Sequence, residues 1–209
     1  MRGIAFIGGE GPSPEICRAL VKDAGLIAAA DSGLIAAEEA GLCPAWITGD
    51  MDSLDNPARL EKYPAARVIR HPHDKDYTDT ELVLKLLWDQ GCDEVWLIGG
   101  GGGRLDHLLA IRGLFERENP PARWISARED CFCLDYSGAA VREFTREPKA
   151  RVSVFPLGNG PWEISSRGLK WPLDPVSWNR GFAGISNEAV SGGFSVSVRS
   201  GRFLLILEI

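Results

Sequence analysis

From the N-terminus to about residue 126, short apolar runs alternate with stretches of helical periodicity, and this alternation most narrows what the chain can fold into. Ile4–Ile7, Leu26–Ala30, Ala45–Ile47, Arg67–Arg70, Glu94–Ile98 and Arg123–Ser126 read as strands. Between them, Pro14–Lys22 reads as a helix with Ser13 as N-cap, and Leu34–Ala40 as a helix closed by Gly41. A short helix is expected at Pro57–Lys62, and a longer one from Thr78 or Asp79 to about Gln90, stopped by Gly91. Arg104–Glu118 reads as a helix with Leu105, Leu108, Leu109, Ile111 and Leu114 on its buried side. Strands that alternate with helices imply a mostly parallel sheet covered on both faces, an α/β, Rossmann-like arrangement.

After about residue 128 the period changes to two. Phe132–Tyr136, Ala140–Phe144, Arg151–Phe155, Trp162–Ser165, Phe194–Val198 and Phe203–Leu207 read as strands separated by Gly, Pro and Ser turns. The expected organisation is an α/β domain over 1–128 and an all-β sandwich over 129–209.

In parallel α/β sheets, ligands bind outside the carboxyl ends of the strands. Asp31-Ser32-Gly33, Gly49-Asp50-Met51-Asp52-Ser53, Asp74–Asp79 and the glycine run Gly99–Gly103 all fall there. Asp50 and Asp52, with Asp79, offer hard oxygen ligands of the kind Mg²⁺ takes. Read alone, the Asp50–Asp52 pair reads first as a solvated turn, with Ser53 capping the next helix, and the surrounding clusters reverse that order. The glycines would let backbone N–H groups approach a polyphosphate, and Arg104 adds planar donors. Lys75 could contact phosphate, while Asp106 could cap the last helix or face a ligand. Metal beside polyphosphate points to nucleotide-dependent phosphoryl or pyrophosphoryl transfer. No Gly-x4-Gly-Lys-Ser/Thr occurs, and Pro14 stands where a dinucleotide fingerprint needs its third glycine.

The formal net charge of -6 argues against a general nucleic-acid surface. No apolar stretch approaches the roughly 18 residues of a membrane span. Five scattered cysteines fit a reduced, cytoplasmic protein.

Taken in order, these motifs resemble those of the thiamine pyrophosphokinase family. The second half adds Val152–Leu157, Ser166–Leu173 and Gly184–Glu188, which look like the family's β-domain segments. The resemblance implies transfer of the β,γ-diphosphate of ATP to the thiamine hydroxyl, giving thiamine diphosphate and AMP. It implies Mg²⁺ on Asp50, Asp52 and Asp79. Lys75, Arg104, Gly100, Gly101, Gly102 and Gly103 would hold the triphosphate, with Asp31 and Ser32 at the nucleotide end. Asp106 and His107 match the family's active-site motif. Asp106 is the first choice to accept the hydroxyl proton, and the loop containing Asp76 the second. Trp171, Ser186 and Asn187 would meet thiamine, although Trp171 could also be plain sandwich core. The resemblance further implies a homodimer with thiamine between the α/β domain of one subunit and the β-domain of the other. Two departures stand out: Met51 where the family often has Phe, and Ser32 where many members have Gly.

Overall fold

The computed structural model describes residues 1–52, 54, 57–63, 67–136 and 141–209. Ser53, read as a helix cap, and Ala140, read as a strand start, lie outside the described residues. The chain divides into two compact units, Met1–Leu114 with Asn119–Arg128, and Phe115–Glu118 with Glu129–Ile209.

The first unit is a parallel sheet of β1 (Arg2–Phe6), β2 (Leu26–Ala30), β3 (Trp46–Gly49), β4 (Val68–Arg70), β5 (Glu94–Ile98) and β6 (Arg123–Ile125). The spatial order is β6-β5-β1-β2-β3-β4, every neighbouring pair parallel. Helices α1 (Pro14–Leu20), α2 (Gly33–Glu39), α3 (Asp79–Asp89) and α4 (Leu105–Leu114) connect the strands, with a 3-10 helix at Pro57–Lys62. One sheet face buries Ile4, Phe6, Ala29, Ile47 and Ile98 against Cys17 of α1 and Leu34 and Ala37 of α2. The opposite face meets α3: a Cβ on Gly3 would lie 3.2 Å from Leu87 Cδ2. The period of two therefore places Gly3 and Ala5 toward α3, and Ile4 and Phe6 toward α1 and α2.

Helix starts follow local chemistry. Ser13 Oγ accepts from Ile16 N–H at 3.5 Å, with Pro14 in the first turn. Thr78 forms a capping box with Glu81: Glu81 N–H donates to Thr78 Oγ1 at 3.2 Å, and Thr78 N–H to Glu81 Oε2 at 2.7 Å. The last helix departs from expectation. It ends at Leu114 rather than Glu118, and Leu105 and Leu109 are 69% and 59% exposed. Ile111 and Leu114 alone form its fully buried stripe. Beyond it, Arg202 Nη1 donates to the carbonyls of Phe115 (3.1 Å) and Arg117 (2.6 Å), taking acceptors a continuing helix would use internally.

The second unit contains β7 (Glu129–Asp135), β8 (Arg142–Phe144), β9 (Arg151–Leu157), β10 (Glu163–Arg167), β11 (Gly184–Glu188), β12 (Phe194–Ser200) and β13 (Arg202–Glu208). Antiparallel pairing joins them in the orders β11-β9-β13-β7 and β10-β12-β8. The two sheets share one core, with Leu134, Val154, Phe203 and Leu205 from one and Phe144, Ile164, Phe194 and Val196 from the other. Phe144 stacks on Phe194 at 5.0 Å and meets the edge of Phe132 at 5.1 Å. β11 had no strand reading in the sequence; a register shift between Gly184 and Asn187 breaks its alternation.

Glu38 of α2 braces the 3-10 helix. It accepts from Arg59, from Lys62 at 3.4 Å and from the Tyr63 hydroxyl at 3.3 Å. Burial works to raise its pKa, but these donors outweigh burial and hold it below the usual carboxylate range. Its contribution to stability is therefore present above the unfolded pKa of about 4.3 and is lost as pH falls through the lower folded value. In urea unfolding, Glu38→Gln is expected to cost about 2 kcal/mol at pH 7, and the gap to wild type should close as pH falls through the lowered folded value. A gap that stays constant with pH would contradict the ion-pair account.

Candidate active site

The site begins where β2 and β3 end side by side. Asp31 N–H donates to Thr48 O at 3.1 Å, which sets Asp31 level with Gly49. A Cβ on Gly49 would lie 2.4 Å from Asp31 Oδ1 and 3.1 Å from Asp79 Oδ1, and Gly49 has φ 145°. Only glycine lets both carboxylates close over the strand end. Asp31 and Met51 both take left-handed conformations, at φ 46° and 67°. Such strain persists where surrounding contacts hold it; here Met51 N–H donates to Asp31 Oδ1 at 2.8 Å.

Asp79 joins from the first turn of α3, and Lys75 from the preceding loop. Lys75 Nζ lies 2.9 Å from Asp50 Oδ2 and 3.2 Å from Asp79 Oδ1. Asp31, Asp50 and Asp79 each offer one carboxylate oxygen, all within 4.8 Å of one another. Burial pushes the Asp31 carboxyl up to about 7; the Met51 hydrogen bond opposes this, and the Asp79 and Asp50 charges add to it. The hydrogen bond from Lys75 holds Asp50 down at about 2. Asp79 Oδ1 is buried and makes no hydrogen bond of good geometry, although the Lys75 ammonium lies near it. Three converging carboxylates suit a hard divalent cation.

The grouping differs from the one expected. Asp52 does not join Asp50 and Asp79; it falls with Asp50 and His73 in a second group, and Asp31 takes its place. Left-handed Met51 redirects the chain between the two aspartates. The Asp52–His73 pair is exposed, with His73 Nε2 at 3.5 Å from Asp52 Oδ2. The sequence reading missed His73. It placed Asp31 at the nucleotide end, whereas adjacent parallel strands each followed by Asp bring Asp31 and Asp50 into one group. Asp76 lies exposed in the turn after Lys75, outside both groups. Ser32 precedes α2 without a capping bond, and its Oγ would meet a Cβ on Gly8 at 2.5 Å.

The glycine run lies at the topological switch between β1 and β5. The Gly99, Gly100 and Gly101 amides donate to Ile125 O (3.0 Å), Gly8 O (3.0 Å) and Glu10 O (2.9 Å). The amides of Gly100 and Gly101, read as phosphate donors, are thus engaged in joining the two strand-end loops. Gly100 is wedged as well: a Cβ there would lie 2.6 Å from Ile111 and 2.8 Å from Ile7. Gly102 and Gly103 are exposed and left-handed, at φ 64° and 67°, and are the part of the run that faces solvent. Arg104 grips Asp106 with two bonds, Nε to Oδ1 at 3.1 Å and Nη2 to Oδ2 at 2.5 Å. This hydrogen bonding holds the Asp106 carboxyl below its ordinary range. His107 N–H also donates to Asp106 Oδ1, at 3.0 Å, and all three residues are exposed.

In the second unit, Asn187 is buried and its amide brackets one residue. Its Oδ1 accepts from Trp171 N–H at 3.1 Å, and its Nδ2 donates to Trp171 O at 2.6 Å. Asn187, expected at a ligand, holds the Trp171 backbone. Trp171 is 52% exposed rather than core, with Lys170 Nζ 4.4 Å from the centre of its ring. Ser186 bulges out of β11 at φ 60°, and its N–H donates to Ser153 Oγ at 3.2 Å.

Comparison with known proteins decides the family. Residues 17–120 match the family model described as "Thiamin pyrophosphokinase, catalytic domain", and residues 143–203 match "Thiamin pyrophosphokinase, vitamin B1 binding domain". The chain belongs to the thiamin pyrophosphokinase family. Like the family, it is an ATP-using kinase that binds thiamine and forms thiamine diphosphate. The fold agrees with solved family structures. The thiamine pyrophosphokinase of Bacillus subtilis is 24% identical, with TM-score 0.79 over 99% of this chain and 98% of that one. That of Geobacillus thermodenitrificans is 24% identical, with TM-score 0.75 over 100% and 98%. The yeast structure is 16% identical, with TM-score 0.69 over 100% and 86%.

Gly49→Ala would drive a methyl group into Asp31 and Asp79. Thiamine diphosphate formation is expected to fall by about 100-fold or more. Gly41→Ala is the control: it is also left-handed, at φ 71°, but nothing lies within 4 Å of its Cβ position. It should cost about 1 kcal/mol in thermal unfolding while leaving turnover unchanged. Equal turnover losses in the two variants would contradict the packing argument.

Proposed function

We propose that the chain transfers the β,γ-diphosphate of ATP to the thiamine hydroxyl, with Mg²⁺ held by Asp31, Asp50 and Asp79. The observation that carries this reading is the convergence of these carboxylates beside the ends of β2 and β3, with Lys75 against Asp50 and Asp79. When bound, Mg²⁺ would offset phosphate charge and orient the triphosphate. The thiamine oxygen attacks the β-phosphorus, the bond from that phosphorus to the α,β-bridging oxygen breaks, and AMP leaves. Lys75 and Arg104 bind phosphate oxygens, with the exposed Gly102–Gly103 turn beside them. While Arg104 grips Asp106, that carboxylate is a weak base. Transfer of the guanidinium to phosphate leaves Asp106 without its partner and better able to accept the hydroxyl proton.

Trp171, oriented through Asn187, offers an aromatic face to the thiamine cation. The reading includes a homodimer with thiamine between unlike domains of two subunits; the exposed Leu105 and Leu109 of α4 support a partner surface. A cytoplasmic setting is consistent with five free cysteines. Among the described residues, no helix is long and apolar enough to cross a membrane.

Asp50→Asn and Asp79→Asn keep side-chain size while removing charge. Each is expected to lower AMP and thiamine diphosphate formation by about 100-fold or more, with circular dichroism unchanged. Near-normal product formation in either folded variant would overturn the metal assignment.

A further inference from the structure

We infer that Lys75 is a resident counter-cation of the carboxylate site, displaced by the divalent metal and received by the triphosphate, so that it couples the binding of the two. The inference rests on the metal reading above and adds to it a role for Lys75 before ATP arrives.

The geometry supports it in three steps. Lys75 bridges Asp50 and Asp79 at 2.9 and 3.2 Å, and the Lys75, Asp50 and Asp79 side chains are only 13%, 12% and 23% exposed. A shielded ammonium against two carboxylates interacts far more strongly than a solvated surface pair. Those carboxylates also belong to the group that converges with Asp31. An ammonium and a divalent cation cannot both sit against the same oxygens, because each needs close contact and they repel each other.

Without nucleotide, Lys75 leaving the carboxylates loses two charge-assisted contacts and gains only water. With a triphosphate present, the ammonium exchanges carboxylate oxygens for phosphate oxygens. Metal and triphosphate therefore each favour the other, and the coupling is reciprocal. Lys75 sits four residues before Asp79, on the loop that leads into α3, so one side chain can serve both sets of oxygens.

The test uses the full chain with Mn²⁺ alone as probe, followed by paramagnetic resonance in wild type, Lys75→Gln and Lys75→Arg. Lys75→Gln is expected to bind Mn²⁺ about tenfold tighter or more without nucleotide, while Lys75→Arg stays close to wild type. Adding α,β-methylene ATP should tighten Mn²⁺ retention in wild type and much less in Lys75→Gln. A Lys75→Gln affinity equal to or weaker than wild type overturns the inference. A second measurement needs no variant: acetic anhydride labelling of wild type, read at Lys75 by mass spectrometry. Mn²⁺ should increase labelling as the ammonium leaves its carboxylates, and unchanged labelling at high Mn²⁺ overturns the inference. If no form binds Mn²⁺ even with α,β-methylene ATP, the metal reading fails with it. If wild type requires Mg²⁺ for turnover but Lys75→Gln binds Mn²⁺ no tighter, only the coupling role fails.

Discussion

Parallel pairing of β2 with β3 is the constraint on which the site depends. It places Asp31 beside Gly49 and Asp50, in a position neither segment would reach alone. Strands buried on both faces have little freedom to slip, since a shift of one residue would turn Ile47 and Ala29 out of the core. Gly49 then removes the one Cβ that would hold the carboxylates apart. The resulting cluster is costly: Asp31 is buried among like charges, two non-glycine residues are left-handed, and buried Asp79 Oδ1 makes no hydrogen bond of good geometry. A cation bound there, as proposed, would offset part of that cost.

Much of this was legible in the sequence. Helical and strand periods differ enough to locate most elements, and β2 and β5 have the bounds that their apolar runs suggest. The strand-end rule carried Asp31, Asp50, Lys75 and Asp79 to one edge. What was not legible depended on backbone direction and on hydrogen bonds distant in sequence. Nothing local says that Met51 is left-handed; Asp52, expected with Asp50 and Asp79, falls with Asp50 and His73. A run of five glycines suggests open amides, but three are taken by carbonyls at strand ends, one nearly thirty positions later and two about ninety earlier. The leucines of α4 suggested one buried stripe, while only Ile111 and Leu114 of that helix are buried.

The β-rich unit shows the same division between anchoring and contact. Buried Asn187 satisfies both its amide groups on the Trp171 backbone, which fixes where the exposed indole stands. Substituting Asn187 would therefore disturb the aromatic through its main chain, although the two residues are far apart in sequence. In the α/β unit, Gly49 stands in the same relation to Asp31 and Asp79.

The central claim is that Asp31, Asp50 and Asp79, rather than the exposed Asp52–His73 pair, form the metal centre. The most direct measurement is a crystal structure with Mn²⁺ and α,β-methylene ATP, located by anomalous scattering. The account predicts the ion bound by Asp31, Asp50 and Asp79, with Lys75 moved onto phosphate. An ion held by Asp52 and His73, with Lys75 still bridging Asp50 and Asp79, would contradict it.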